Sequence, residues 1–85
     1  MLVIVNLSTK DSSFPMEALS EVDSALATVG LKKQLRSVLV PGKQFTVTYD
    51  GPTIDKKRVE DVVGPLAERN HITISVEVEE SVNFP

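Results

Sequence analysis

Leu2-Val3-Ile4-Val5 is an unbroken, mostly β-branched apolar run, which predicts a central strand buried on both sides of its pleat. Residues 8–13 are polar and turn-like. Phe14, Ala18, Leu19, Val22, Ala25, Leu26 and Val29 then recur at helical spacing, with Glu17, Glu21, Asp23 and Ser24 mostly between them. That pattern predicts an amphipathic helix with one buried stripe. Pro15 suits its first turn, where a missing N–H costs nothing, and Gly30 suits its left-handed closing residue. Residues 34–40 and 44–50 flank Pro41-Gly42, the proline–glycine order of a type II turn. Phe45, Val47 and Tyr49 alternate with Thr46 and Thr48, so the two segments read as a hairpin with one apolar face.

Asp50-Gly51-Pro52 marks a second turn, after which Thr53 or Asp55 would cap another helix. Val59, Val62, Val63 and Leu66 give that helix its apolar stripe. Pro65 within it removes one backbone donor and crowds the preceding turn, which predicts a kink or an early end. Ile72, Ile74, Val76 and Val78 alternate with Thr73, Ser75, Glu77 and Glu79, a half-buried strand. The element order β-α-β-β-α-β predicts a ferredoxin-like α+β two-layer sandwich, a four-stranded antiparallel sheet with both helices on one face. The expected helix-facing set is Phe45, Val47, Tyr49, Ile72, Ile74, Val76 and Val78; Thr46, Thr48, Thr73, Ser75 and Glu77 would line the other face.

Length limits this picture to one domain: 85 residues hold one modest core, here with residues 81–85 as a tail or extra strand. The 41% hydrophobic and 25% charged content is that of an ordinary folded domain. Without cysteine, disulfide and thiolate chemistry are excluded, in keeping with a cytoplasmic location. The apolar start at residues 1–5 lacks a basic leader and is far short of a membrane span, so no membrane role is expected. A net charge of −3 supplies no overall attraction to nucleic acid.

Candidate chemistry is sparse. His71, the only histidine, would share an end of the sheet with Lys10, Asp11 and three serines, yet no partner spacing supports acid–base work, so it reads as a surface turn residue. Glu77, Glu79 and Glu80 with Asp50 or Asp55 suggest a hard-cation site, but no calcium-loop or zinc spacing occurs, and a solvated strand end suits them better. No metal site, cofactor motif or catalytic constellation is expected. Two basic groups remain as anion- or partner-binding candidates: Lys32, Lys33 and Arg36, and Lys56, Lys57 and Arg58. The second group falls in a helix's first turn, where cations are disfavoured, a placement that invites a functional reason. The open sheet face lacks the aromatic side chains on which sheet-based RNA readers stack bases. Val82 and Phe84 in the tail would cover the domain's own edge or add a strand to a partner's sheet, with a homodimer as one outcome.

The first strand, the helix ending Leu26-Ala27-Thr28-Val29-Gly30, the Leu39-Val40-Pro41 run before Phe45-Thr46-Val47, and the last strand with its trailing tail resemble Cas2-like small proteins. That group includes CRISPR-associated Cas2 and the antitoxin endoribonuclease GhoS. The resemblance implies the same fold and a dimer assisted by the tail, and nucleic-acid binding or cleavage in some members. Cas2 proteins carry an aspartate at the end of the first strand; Asn6 stands there in this chain, a poor ligand for a divalent cation. The leading expectation is therefore a non-catalytic interaction or regulatory module. The alternative is a Cas2-like nucleic-acid-binding protein or ribonuclease using a basic end of the sheet.

Overall fold

The computed structural model describes residues 1–79. Its elements are β1 (Leu2–Ser8), α1 (Glu17–Ala27), β2 (Lys32–Val40), β3 (Gln44–Asp50), α2 (Lys56–Asn70) and β4 (Thr73–Glu79). The strands form one antiparallel sheet in the order β2-β3-β1-β4, the ferredoxin-like arrangement. Every neighbour pair is antiparallel because each helix crosses between strands that are not adjacent.

The period-two pattern decides which face the helices cover. Val3, Val5 and Leu7 on β1 lie opposite Tyr49, Val47 and Phe45 on β3, and all six are buried. Val78, Val76 and Ile74 continue these rows across β4. Ala18, Leu19, Val22 and Leu26 of α1, with Val59 and Val63 of α2, close over them. Phe14 meets the Phe45 ring edge-on, centroids 5.0 Å apart. Such a contact adds about 1 kcal/mol to the burial itself. The opposite face carries Asn6, Thr46, Thr48, Ser75 and Glu77, as the alternation requires. Leu2 and Ile4 also point there and are only half-buried, so β1 is central in the sheet but not buried on both faces.

Both helices close by the same device. At the end of α1 the Leu31 N–H donates to the Leu26 carbonyl and the Gly30 N–H to the Ala27 carbonyl, with Gly30 at φ +88°. At the end of α2 the Ile72 N–H donates to Ala67 and the His71 N–H to Glu68, with His71 itself left-handed at φ 56°. These are Schellman closures, and the buried Leu31 and Ile72 that follow lock them onto the core. Between β2 and β3 the Lys43 N–H donates to the Val40 carbonyl across Pro41-Gly42, with Gly42 at φ +73°, the expected type II turn. Gly51 is crowded instead: a Cβ there would lie 2.7 Å from the Gly30 carbonyl oxygen and 2.8 Å from a Leu31 methyl.

Two helix expectations need correction. Helix α1 starts at Glu17 rather than near Phe14; Phe14 is tied to the hairpin instead, its N–H donating to the Gly42 carbonyl. Helix α2 neither stops nor breaks at Pro65 but runs on to Asn70. Pro65 is exposed, so the carbonyl one turn back that loses its donor can turn to water, and the buried stripe on the other side keeps its packing. Pro65→Ala restores that bond and is expected to raise the urea midpoint, by about 1–3 kcal/mol in stability. An unchanged or lower midpoint would show that the proline is not a strained position.

Candidate functional site

Strand β2 is the outermost strand on its side, and its pairing with β3 fixes where its side chains point. Lys33, Arg36 and Val38 lie opposite the buried Tyr49, Val47 and Phe45, so they project on the helix side. Lys32, Leu35, Ser37 and Val40 lie opposite Asp50, Thr48, Thr46 and Gln44, on the open side. Register shifts fall between Lys33 and Leu35 and between Val38 and Val40, which makes Gln34 and Leu39 the extra residues of two bulges. Alternation from Val38 puts Leu39 on the open side.

The helix layer does not reach far enough to cover this strand. Leu35 is 62% exposed, Val38 and Leu39 55% each, and Val40 44%. No described residue pairs with the outer edge of β2, so its outward N–H and C=O groups are unclaimed along with these side chains. Natural edge strands are usually short, or guarded by charge that is free to repel a newcomer. Here the strand is nine residues long and its last three residues are apolar on both faces.

Two of its three charges are held from within. Asp23 of α1 accepts from Lys33 Nζ at 3.3 Å and Arg36 Nη2 at 3.5 Å, and from the buried Tyr49 hydroxyl at 2.5 Å. One carboxylate thus ties α1 to both strands of the hairpin. Burial raises the Tyr49 hydroxyl pKa far above its ordinary value of 10.0, and the bond to the Asp23 carboxylate adds to the rise. Across the helix pair Arg69 of α2 meets Glu21 of α1 in a second ion pair.

The residues singled out from sequence fall into separate places. Lys33 and Arg36 are bound to Asp23, while Lys32 faces the open side opposite Asp50. Lys56, Lys57 and Arg58 form the exposed first turn of α2, after an Asp55 N-cap whose side chain makes no capping bond. None of the three makes an ion pair among the described residues; Arg58 borders a shallow open depression of about 300 Å³ with Val29, Thr53, Ile54 and Asp55. His71 is spent on the left-handed closure of α2 and is exposed there. Asp11 sits in a different turn, its N–H donating to Thr9 and its carbonyl accepting from Lys43. Glu79 and Asp50 flank Leu2 from opposite sides, two strand spacings or about 10 Å apart. No group of three acidic or histidine side chains arranged to hold a metal occurs among the described residues. Val82 and Phe84 lie outside the described residues, and no described helix is long and apolar enough to cross a membrane.

Sequence reasoning missed the bare edge of β2 and the anchoring role of Asp23. The edge had a signal: Val38-Leu39-Val40 does not alternate, unlike β3 and β4.

No family model and no curated protein matches the chain. Among solved structures it is similar to a formyltetrahydrofolate deformylase from Burkholderia mallei ATCC 23344, with TM-score 0.68 and 14% sequence identity over 89% of this chain. The match spans only 27% of that enzyme's chain, and at this identity it shows the fold alone.

Tyr49 is the only tyrosine and the chain has no tryptophan, so its ionisation is directly visible in the ultraviolet. Its folded pKa lies above its unfolded one. The unfolded chain therefore loses this proton first, and stability falls as pH rises above about 10. Tyr49→Phe is expected to cost about 1–2 kcal/mol at pH 7 and to flatten that alkaline decline. A native-state tyrosinate signal appearing near pH 10 would refute the buried Tyr49–Asp23 pair.

Proposed function

We propose that this chain is a non-catalytic interaction or regulatory module that works through the outer edge of β2. The observation that carries the reading is the combination on one strand of backbone groups unpaired among the described residues and four exposed apolar side chains, Leu35, Val38, Leu39 and Val40. Covering apolar surface of this kind is worth about 25 cal/mol per Å², and an added strand supplies the hydrogen bonds the edge lacks. The site chemistry agrees: His71 is built into a helix closure, and the carboxylates of β3 and β4 stand apart. The likeness to part of a deformylase supports the fold and lends this chain no reaction.

A second reading, nucleic-acid binding of the Cas2-like kind, draws on the first turn of α2. Lys56, Lys57 and Arg58 are exposed at the positive end of that helix, ready for a phosphate backbone. It predicts a salt-dependent RNA or DNA gel shift that disappears in the Lys56→Ala, Lys57→Ala, Arg58→Ala triple variant.

The module reading is tested by capture from an extract of the source organism. The natural chain is expected to retain a partner that the Leu35→Lys, Leu39→Lys variant loses and a Glu60→Lys control keeps. Equal retention by all three would remove β2 from the interaction. Both substituted leucines are already exposed, so circular dichroism should show the variant folded.

A further inference from the structure

We infer that the occupant of the β2 edge is the β2 edge of a second copy of this chain, paired antiparallel about a two-fold axis through Ser37. The inference rests on the reading of β2 as the docking edge and names its partner. A nine-residue strand whose outer backbone groups have no partner among the described residues meets, in a second copy, a strand of the same length with the same groups. Antiparallel pairing about a two-fold axis is the isologous contact such an edge allows.

Side-chain pattern selects the register. With Ser37 on the axis, Leu35 faces Leu39 of the partner subunit, Arg36 faces Val38 of the partner subunit, and Gln34 faces Val40 of the partner subunit. Leucine meets leucine on the open side of the sheet, and no like charges stand directly opposed. Moving the axis to Arg36 would set two guanidinium groups against each other at the centre. Lys32 and Lys33 would lie toward the ends of the ladder, opposite the partner's Pro41–Gly42 turn.

Electrostatics points the same way. Asp23 holds Lys33 and Arg36 within their own subunit, so these cations are drawn toward α1 rather than left to repel a second positive strand. The other edge of the sheet differs: β4 carries Glu77 and Glu79 without an ion-pair partner among the described residues, and two such strands would repel. The bulges at Gln34 and Leu39 frame a regular stretch, residues 35–38, at the centre of the proposed ladder.

Size sets the strength. A nine-residue ladder is about 30 Å long and about 10 Å thick, roughly 300 Å² in section. A standard interface buries about 800 Å² per partner, so this dimer forms weakly and dissociates on dilution.

The natural sequence has no cysteine, which permits a clean cross-linking test. Ser37→Cys under mild oxidation is expected to give a covalent dimer about tenfold faster than Thr73→Cys on the same face of the opposite edge, because the paired edge raises the local thiol concentration. Light scattering of the full natural chain should show its mass rising toward two copies between about 0.01 and 1 mM. The Leu35→Lys, Leu39→Lys variant should stay at one. A monomer across that range, or Ser37→Cys linking no faster than Thr73→Cys, overturns the proposal. If the chain is monomeric while partner capture still depends on Leu35 and Leu39, the second copy is the wrong occupant and the module reading survives. If capture is also insensitive to those leucines, both fail.

Discussion

Covering one face of the two central strands is the constraint on which the rest of this protein depends. Val3, Val5 and Leu7 of β1 and Phe45, Val47 and Tyr49 of β3 make a continuous apolar floor. Phe14, Leu19, Leu26, Leu31, Ile54 and Ile72 join it in one core cluster, so the hydrophobic stabilisation of this small domain comes from roofing that floor. Two helices of 11 and 15 residues do so, and their place follows from the right-handed crossover each must make. The open face, the position of each loop and the isolation of β2 follow from the same choice of side.

Two helices are enough to roof two strands and part of a third. Helix α1 reaches β2 through the Asp23 carboxylate, a polar tether where β1 and β3 have apolar packing. Strand β2 therefore belongs to the sheet by hydrogen bonding but only partly to the core. An unspent apolar surface results, on the strand best placed to lend it to another chain.

The sequence revealed the fold where its signals were local and repeated. Alternation in Phe45-Thr46-Val47-Thr48-Tyr49 and in Thr73–Glu79 named both strands and the side each presents to the helices. Glycines at 30 and 42 sit where a left-handed residue was expected. Local signals misled where one residue was judged without its surroundings. Pro65 argued for a break, but its exposure leaves the lost backbone bond on the solvent side. Lys32 and Lys33 precede the segment 34–40 expected as strand and prove to belong to it, because pairing with Asp50 and Tyr49 outweighs a weak propensity. The candidate site was less legible. Asp23 reads as an ordinary polar position on a helix until the fold brings Tyr49, Lys33 and Arg36 to it. The grouping of Lys33 and Arg36 as free anion binders missed the acid that holds them.

The corner where Gly51 meets Gly30 and Leu31 has a bearing on how this fold can be altered. The end of α1 and the end of β3 touch there with no space for even a methyl group. That contact acts as a clasp between the first and second halves of the chain. Evolution or an engineer lengthening this protein must leave the clasp alone and work at the solvent-facing Pro41-Gly42 bend, where a Cβ on Gly42 would meet nothing within 4 Å. A peptide grafted at that bend would be carried at the tip of the hairpin, at the opposite end of β3 from the clasp.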